Sequence, residues 1–102
     1  MNFSLQDENG QQIGFLVMLP DDDLPTQGQC LVKLMLAQEN MAQTTPAIIL
    51  KNLAQLGTLR WQFDGQKTLL MDANNETIGM IREHLLNINS TTFIMTDLTG
   101  IV

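Results

Sequence analysis

Two segments of this chain, 65 positions apart, carry the same succession of residue types. Residues 5–16 and 70–81 are identical at five of twelve aligned positions, which hold Leu, Asp, Asn, Ile and Gly. In each segment apolar residues lead to an Asp, a polar turn follows, and an Ile-Gly pair begins a second apolar stretch. This is the pattern of a β-hairpin, because Asp, Asn and Gly suit the turn and apolar alternation suits the strands. The repeat therefore predicts that antiparallel strands organise the fold.

The spacing of apolar residues predicts about seven strands, at residues 3–7, 13–19, 30–36, 59–63, 67–72, 77–86 and 91–96. A helix is predicted at about 46–56, where Ile49, Leu53 and Leu56 form one apolar stripe. Thr45 can cap this helix and Gly57 suits its end. Residues 38–43 are ambiguous and fit a helical turn.

Strands gathered around one helix are typical of an α+β protein. We therefore expect an antiparallel, strongly twisted or partly closed β-sheet of about seven strands, packed on one main helix at about 46–56. A chain of 102 residues can bury enough apolar surface to form a single domain, residues 1–102, without a disulfide or metal.

Two features predict self-association. Residues 13–19 are apolar on both faces of their strand, which is typical of a central strand or a subunit interface. Residues 95–100 begin a third copy of the hairpin, but the chain ends at Val102 before a return strand, and an unpaired strand favours pairing with another chain. We therefore expect a homodimer with Phe15, Val17 and Met95 at its interaction surface.

The charge balance narrows the choice of partner. The formal net charge is −6, with only five Lys and Arg residues, so a phosphate-neutralising face is not expected. Nucleic acid and anionic membranes are therefore disfavoured, whereas a basic protein partner fits the sign. Asp21, Asp22 and Asp23 form an acidic loop that such a partner could contact, although an acidic run also serves as a solvated loop.

The inventory of chemically reactive residues is small. His84 is the one histidine and Cys30 the one cysteine, and no nucleophile signature surrounds Cys30, Ser4 or Ser90. Residues 72–83 carry oxygen donors at some calcium-loop positions, but Thr77 stands where such a loop needs Gly. The sequence thus predicts no catalytic residue, no metal ligand and no cofactor.

The chain is expected to be cytoplasmic and to lack a membrane span. Its one cysteine cannot form an intramolecular disulfide, and its first residues lack the cationic start and apolar core of a signal peptide. No apolar run approaches the roughly 20 residues of a membrane-spanning helix.

Seven methionines and two aromatic residues at neighbouring alternate positions suggest a ligand site as a second hypothesis. Methionine adapts to irregular apolar partners, and aromatic rings provide a flat apolar wall. The site would lie between helix and sheet and be lined by Trp61, Phe63, Met71 and Met80. The same residues also suit an ordinary core.

A family resemblance is carried by Leu70, Asp72, Ile78-Gly79, Met80, Arg82, Phe93, Met95, Asp97 and Gly100. Residues 68–100, about a third of the chain, resemble the hairpin of the tubby C-terminal-like group, which includes scramblase and LURP-one related proteins. The resemblance implies a twelve-stranded barrel around a central helix, often lipid-associated. Residues 5–19 are similar in the same way to PRC-barrel domains. Neither resemblance assigns a function to any residue.

These observations favour a small acidic protein-interaction domain of adaptor or inhibitor type that acts as a homodimer. The alternative is a binding module for a small or lipophilic molecule. Enzymatic activity ranks third, because the sequence contains no catalytic constellation.

Overall fold

In a computed structural model of the protein, the described residues are 1–35 and 43–98. They form eight β-strands and one α-helix. The strands are β1 (Asn2–Gln6), β2 (Gln12–Pro20), β3 (Gln27–Leu34), β4 (Leu59–Phe63), β5 (Thr68–Met71), β6 (Thr77–Arg82), β7 (Leu85–Ile88) and β8 (Thr91–Asp97), and the helix is α1 (Thr45–Gln55). Every strand pairs antiparallel with the next, and β8 pairs with β1, so the sheet closes into a barrel.

The expected α+β fold is wrong in three respects. The predicted strand at 77–86 is divided at Glu83 and His84 into β6 and β7, which pair with each other. Among the described residues there are thus eight strands rather than about seven, and the sheet is fully closed. The helix is a short element at one end of a barrel that consists mostly of sheet, rather than a layer on which the sheet packs.

The last strand is not an open edge. Met95 of β8 lies opposite Leu5 of β1, and Thr96 Oγ1 donates a hydrogen bond to Gln6 Oε1 at 3.0 Å. The hairpins are therefore parts of one continuous barrel, and describing the fold as a repeated hairpin is wrong. The end of the third hairpin copy, at residues 99 and 100, lies outside the described residues, as does most of the predicted helical turn at 38–43.

Alternate side chains of each strand point into the barrel and form one core. Its fully buried members include Leu5, Leu16, Leu70, Leu86 and Phe93. Two glycines make room at one end: Gly14 lies opposite Leu5, and Gly79 lies opposite Leu70. A Cβ at Gly14 would collide with the backbone carbonyl of Lys33 and reach 3.0 Å from Leu50. Glycine at this position therefore allows β2, β3 and the helix to pack closely.

Helix α1 closes that same end of the barrel. Thr44 caps it, because its Oγ1 accepts a hydrogen bond from the Ala47 N–H at 3.4 Å. Ala47, Leu50 and Leu53 are its buried residues, and α1 packs mainly on β3. The predicted stripe is shifted by this packing, since Leu53 is buried whereas Leu56 is exposed.

The two hairpin turns singled out by the repeat have the same hydrogen bonds. Asp7 Oδ1 accepts from the backbone N–H groups of Asn9 and Gln11, at 2.9 and 3.0 Å. In the second turn Asp72 Oδ1 accepts from the N–H groups two and four residues on, at 2.8 and 3.0 Å. Gly10 and Asn75 provide the positive φ at the same place in each turn. Both Asp side chains are therefore turn-forming residues.

Candidate functional site

The end of the barrel opposite α1 is open and leads into an apolar cavity of about 330 Å³. Its walls come from the inward-facing residues of six strands and from the connections around the opening. The lining residues are Met1, Phe3, Met18, Pro25, Thr26, Trp61, Phe63, Thr68, Ile81, Glu83 and Met95. A volume of this size lies at the lower end of the range of small-molecule sites.

Trp61 forms part of the cavity wall, and two hydrogen bonds hold its side chain in place. Its Nε1 donates to the backbone carbonyls of Leu19 and Gln29, at 3.3 and 3.1 Å, which fixes the plane of the indole ring. Gly28 lies opposite Trp61 on the neighbouring strand and adds no side chain beside the ring. The indole N–H is thus hydrogen-bonded to the backbone of the barrel, and the apolar face of the ring is turned to the cavity.

The rim of the cavity is partly exposed. Phe63, at the end of β4, keeps 43% of its surface exposed although it lines an apolar site. Glu83 lies in the β6–β7 turn and has a φ of 55°. This left-handed conformation is unfavourable for most residues other than Gly, Asn and Asp. Among the described residues that line the cavity, Glu83 has the one charged side chain.

Two ion pairs fix the connections around this opening. Arg60 contacts Asp21 at 3.1 Å, and Gln27 Nε2 also donates to Asp21, which ties the β2–β3 connection to β4. Lys67 contacts Asp64 at 3.1 Å across the β4–β5 turn. Backbone N–H groups of Lys67 and Gln66 donate to the Asp64 carboxylate and lower its pKa to about 2. These two ion pairs therefore hold the β2–β3 and β4–β5 connections in place at the rim of the cavity.

The structure brings together only half of the predicted ligand pocket. Trp61 and Phe63 line the cavity, but it lies at the opposite end of the barrel from α1 rather than between helix and sheet. Met71 and Met80 are half-buried and alternate with inward-facing residues, so they lie on the outer face. Met80 lines an open outer groove of about 520 Å³ instead.

Nine of the eleven lining residues were not predicted for the pocket, and four of these are large apolar residues of the strands, namely Phe3, Met18, Ile81 and Met95. Each faces the same side of its strand as a core residue, for example Met18 two positions after Leu16. Alternation within each strand could therefore have grouped them. It could not have shown which end of the barrel stays open.

The predicted interaction residues lie in three different places. Phe15 and Val17 are half-buried on the outer face of β2, where Leu19 and Leu31 add exposed apolar surface. Met95 points into the barrel and is 6% exposed, so it belongs to the cavity wall rather than to an outer surface. In the acidic loop Asp21 is ion-paired, and Asp22 and Asp23 are exposed.

Cys30 and His84, the two residues considered for chemistry above all others, lie in different environments. Cys30 is buried in the core, and desolvation raises the pKa of its thiol to about 12. His84 is exposed in the β6–β7 turn, and its backbone carbonyl accepts from the Met95 N–H. Across residues 1–35 and 43–98 no group of three or more His, Cys, Asp or Glu side chains is placed to hold a metal ion. Within those same ranges no helix has the length and apolarity to cross a membrane.

Comparison with known proteins places the chain in one family. It belongs to the HLGFF-containing family of Neisseriales, whose model matches residues 1–102. The five letters of that name do not occur consecutively in this chain. Neither the curated proteins nor the solved structures gave a match. The resemblance of residues 68–100 to tubby-like hairpins stays a prediction, and the barrel described above has eight strands with its helix at one end.

Proposed function

We propose that this member of the HLGFF-containing family binds a small apolar molecule in the cavity at the open end of its barrel. One observation carries the proposal: an apolar cavity of about 330 Å³ opens to solvent at the end that α1 does not close. Eight-stranded barrels have interiors just wide enough to be filled by side chains or to hold one small ligand. Here α1 covers one end, where its Leu50 and Leu53 are buried in the core, whereas side chains leave the other end unfilled.

The size of the cavity limits the ligand. An apolar cavity of about 150 Å³ accepts benzene, and the cavity here is roughly twice as large. A bicyclic aromatic ring system or a linear alkyl chain of about ten carbons matches this volume. We propose binding without chemical conversion, since Cys30 is buried in the core and His84 lies on an exposed turn.

Trp61 provides a direct test, because it is the one tryptophan in the chain and lies on the cavity wall. The full chain is titrated with decanol while Trp61 fluorescence is recorded. The expected result is a saturable change with one binding site per chain. No saturable change up to the solubility limit of decanol would contradict the proposal.

Matched variants separate the cavity from general apolar adsorption. Phe63→Ser removes an exposed ring from the rim, and Leu31→Ser removes a similarly exposed side chain from the outer face of β3. Loss of the apolar contact predicts about tenfold weaker decanol binding for Phe63→Ser. Leu31→Ser should bind like the unchanged protein, and equal weakening by both variants would place decanol elsewhere.

A second candidate function is self-association through the outer face of β2 and β3. Phe15, Val17, Leu19 and Leu31 are neighbours on this face, where alternation usually places polar residues. Light scattering at high micromolar concentration should then show a dimer, and Leu31→Lys should convert it to a monomer. A monomeric unchanged protein would remove this candidate. A basic protein partner and a cytoplasmic location stay predictions from the sequence.

A further inference from the structure

We infer that the cavity prefers a planar aromatic molecule, about the size of two fused rings, to a saturated one; this inference rests on the proposed function. The composition of the cavity wall supports it. Seven methionines, four phenylalanines and one tryptophan make up twelve of the 102 residues of the chain, yet they provide six of the eleven described residues that line the cavity. These six are Met1, Phe3, Met18, Trp61, Phe63 and Met95. Such side chains make specific contacts with an aromatic ring in addition to burying it.

One wall of the cavity is aromatic and is fixed by the backbone around it. Trp61 and Phe63 lie two positions apart on the inner face of β4, about 7 Å along the strand. A Cβ at Gly28 would collide with the Leu19 carbonyl, so glycine there leaves room for the carbonyl that accepts the indole N–H. The Phe63 N–H donates to the Thr26 carbonyl at 2.7 Å, which holds the end of β4. Because this wall is fixed before binding, a ligand that packs on it loses little affinity to side-chain ordering.

The wall across the cavity from β4 carries thioether groups. In the closed order of eight strands β8 is four strands from β4 in either direction, so Met95 lies across the barrel from the two rings. Phe3 on β1 and Met18 on β2 continue this wall. A methionine sulfur makes a favourable contact with an aromatic ring at about 5 Å. A flat ring inserted here would contact rings on one side and sulfur on the other, whereas a saturated ligand would gain only the burial of apolar surface.

Two ligands test the inference directly: 2-naphthol and decahydro-2-naphthol. They share a fused ten-carbon skeleton and one hydroxyl group, and they differ in aromaticity. The saturated compound has the larger apolar surface, so burial alone would favour it. We expect 2-naphthol to bind about fivefold more tightly, as one aromatic contact would give. Isothermal titration calorimetry of the full chain measures both affinities, with decanol as the reference for apolar binding.

Two pairs of matched variants locate the effect. Phe63→Leu removes a ring from the cavity wall, and Phe15→Leu makes the same change on the outer face of β2. Met95→Leu removes a sulfur at nearly constant volume, and Met80→Leu does so on the outer face. The preference for 2-naphthol should fall about twofold in Phe63→Leu and in Met95→Leu. It should be unchanged in the two outer-face variants.

The outcomes separate this inference from the proposed function. Equal affinities for the two ring compounds, or tighter binding of the saturated one, would overturn the inference. A preference for 2-naphthol that survives in both cavity variants would overturn it as well. In each of these cases saturable binding of decanol would still support the proposed function. If none of the three compounds binds, both are overturned.

Discussion

The two ends of the barrel differ in how completely their apolar side chains are buried. At the closed end Leu5 and Leu50 have no exposed surface, and Gly14 lets the helix approach the strands. At the open end Phe63 and Met1 are 43% and 54% exposed although both line the barrel interior. One end therefore contributes a complete apolar core, and the other leaves apolar surface that a ligand can cover.

This difference separates stability from binding. Burial of apolar side chains stabilises the fold roughly in proportion to the area removed from water. At the closed end the apolar side chains are fully buried and contribute this stabilisation in full. At the rim they are only partly buried and contribute less. Substitutions at the closed end should thus lower stability, and substitutions at the open end should mainly change ligand affinity.

The largest expected effect is at the closed end. Leu50→Ala removes a fully buried side chain from beneath the helix and should lower the free energy of unfolding by about 3 to 4 kcal/mol. Phe63→Ala removes a larger but half-exposed side chain and should cost only about 1 kcal/mol. Urea denaturation of both variants measures the two values. Equal losses would show that the two ends do not differ in packing.

A smaller effect of opposite sign is expected at the rim. Glu83→Gly places glycine at a positive φ and should raise the free energy of unfolding by about 0.5 to 1 kcal/mol. The substitution should not disturb the pairing of β6 with β7, because the side chain of Glu83 is exposed. If the variant is less stable than the unchanged protein, Glu83 has a structural role that the turn geometry does not explain.

The smallest effect concerns the β4–β5 turn beside the opening. The pKa of Asp64 is lowered to about 2, so its charged form stabilises the folded state above its ordinary pKa, and this contribution is lost as the pH falls towards 2. Asp64→Ala should therefore lower the melting temperature slightly at pH 7, with a gap to the unchanged protein that narrows between pH 4 and 2. Asp23→Ala, in the exposed acidic loop, serves as the control. A gap that does not change with pH would contradict the assignment.

Local residue chemistry predicted much of the barrel wall. The predicted strands at 59–63 and 67–72 implied the β4–β5 turn between them. The repeated Asp-x-Asn pattern predicted the turns at Asp7 and Asp72, because these Asp side chains accept hydrogen bonds from the backbone of their own turn. The closure was not predictable in this way. It depends on pairing between β1 and β8, whose paired residues lie 88 to 94 positions apart.

The candidate site was predicted only in part for a related reason. Strands with apolar residues on both faces do not reveal which face turns inward. Met95 and Met80 are alike in sequence context, yet Met95 points into the cavity and Met80 lies on the outer face. The two residues are distinguished only by the strand pairing that closes the sheet into a barrel. The same pairing places Trp61 and Phe63 at the open end.

The methionines themselves provide the most direct test of the central claim, that the open end of the barrel is a ligand site. Methyl NMR spectra of ¹³C-methionine-labelled protein are recorded during titration with decanol. Met18 and Met95 line the cavity, whereas Met71 and Met80 lie on the outer face and act as internal controls. We expect the methyl signals of Met18 and Met95 to shift and saturate while those of Met71 and Met80 stay in place. Shifts confined to Met71 and Met80, or no shift at any of the four, would contradict the account.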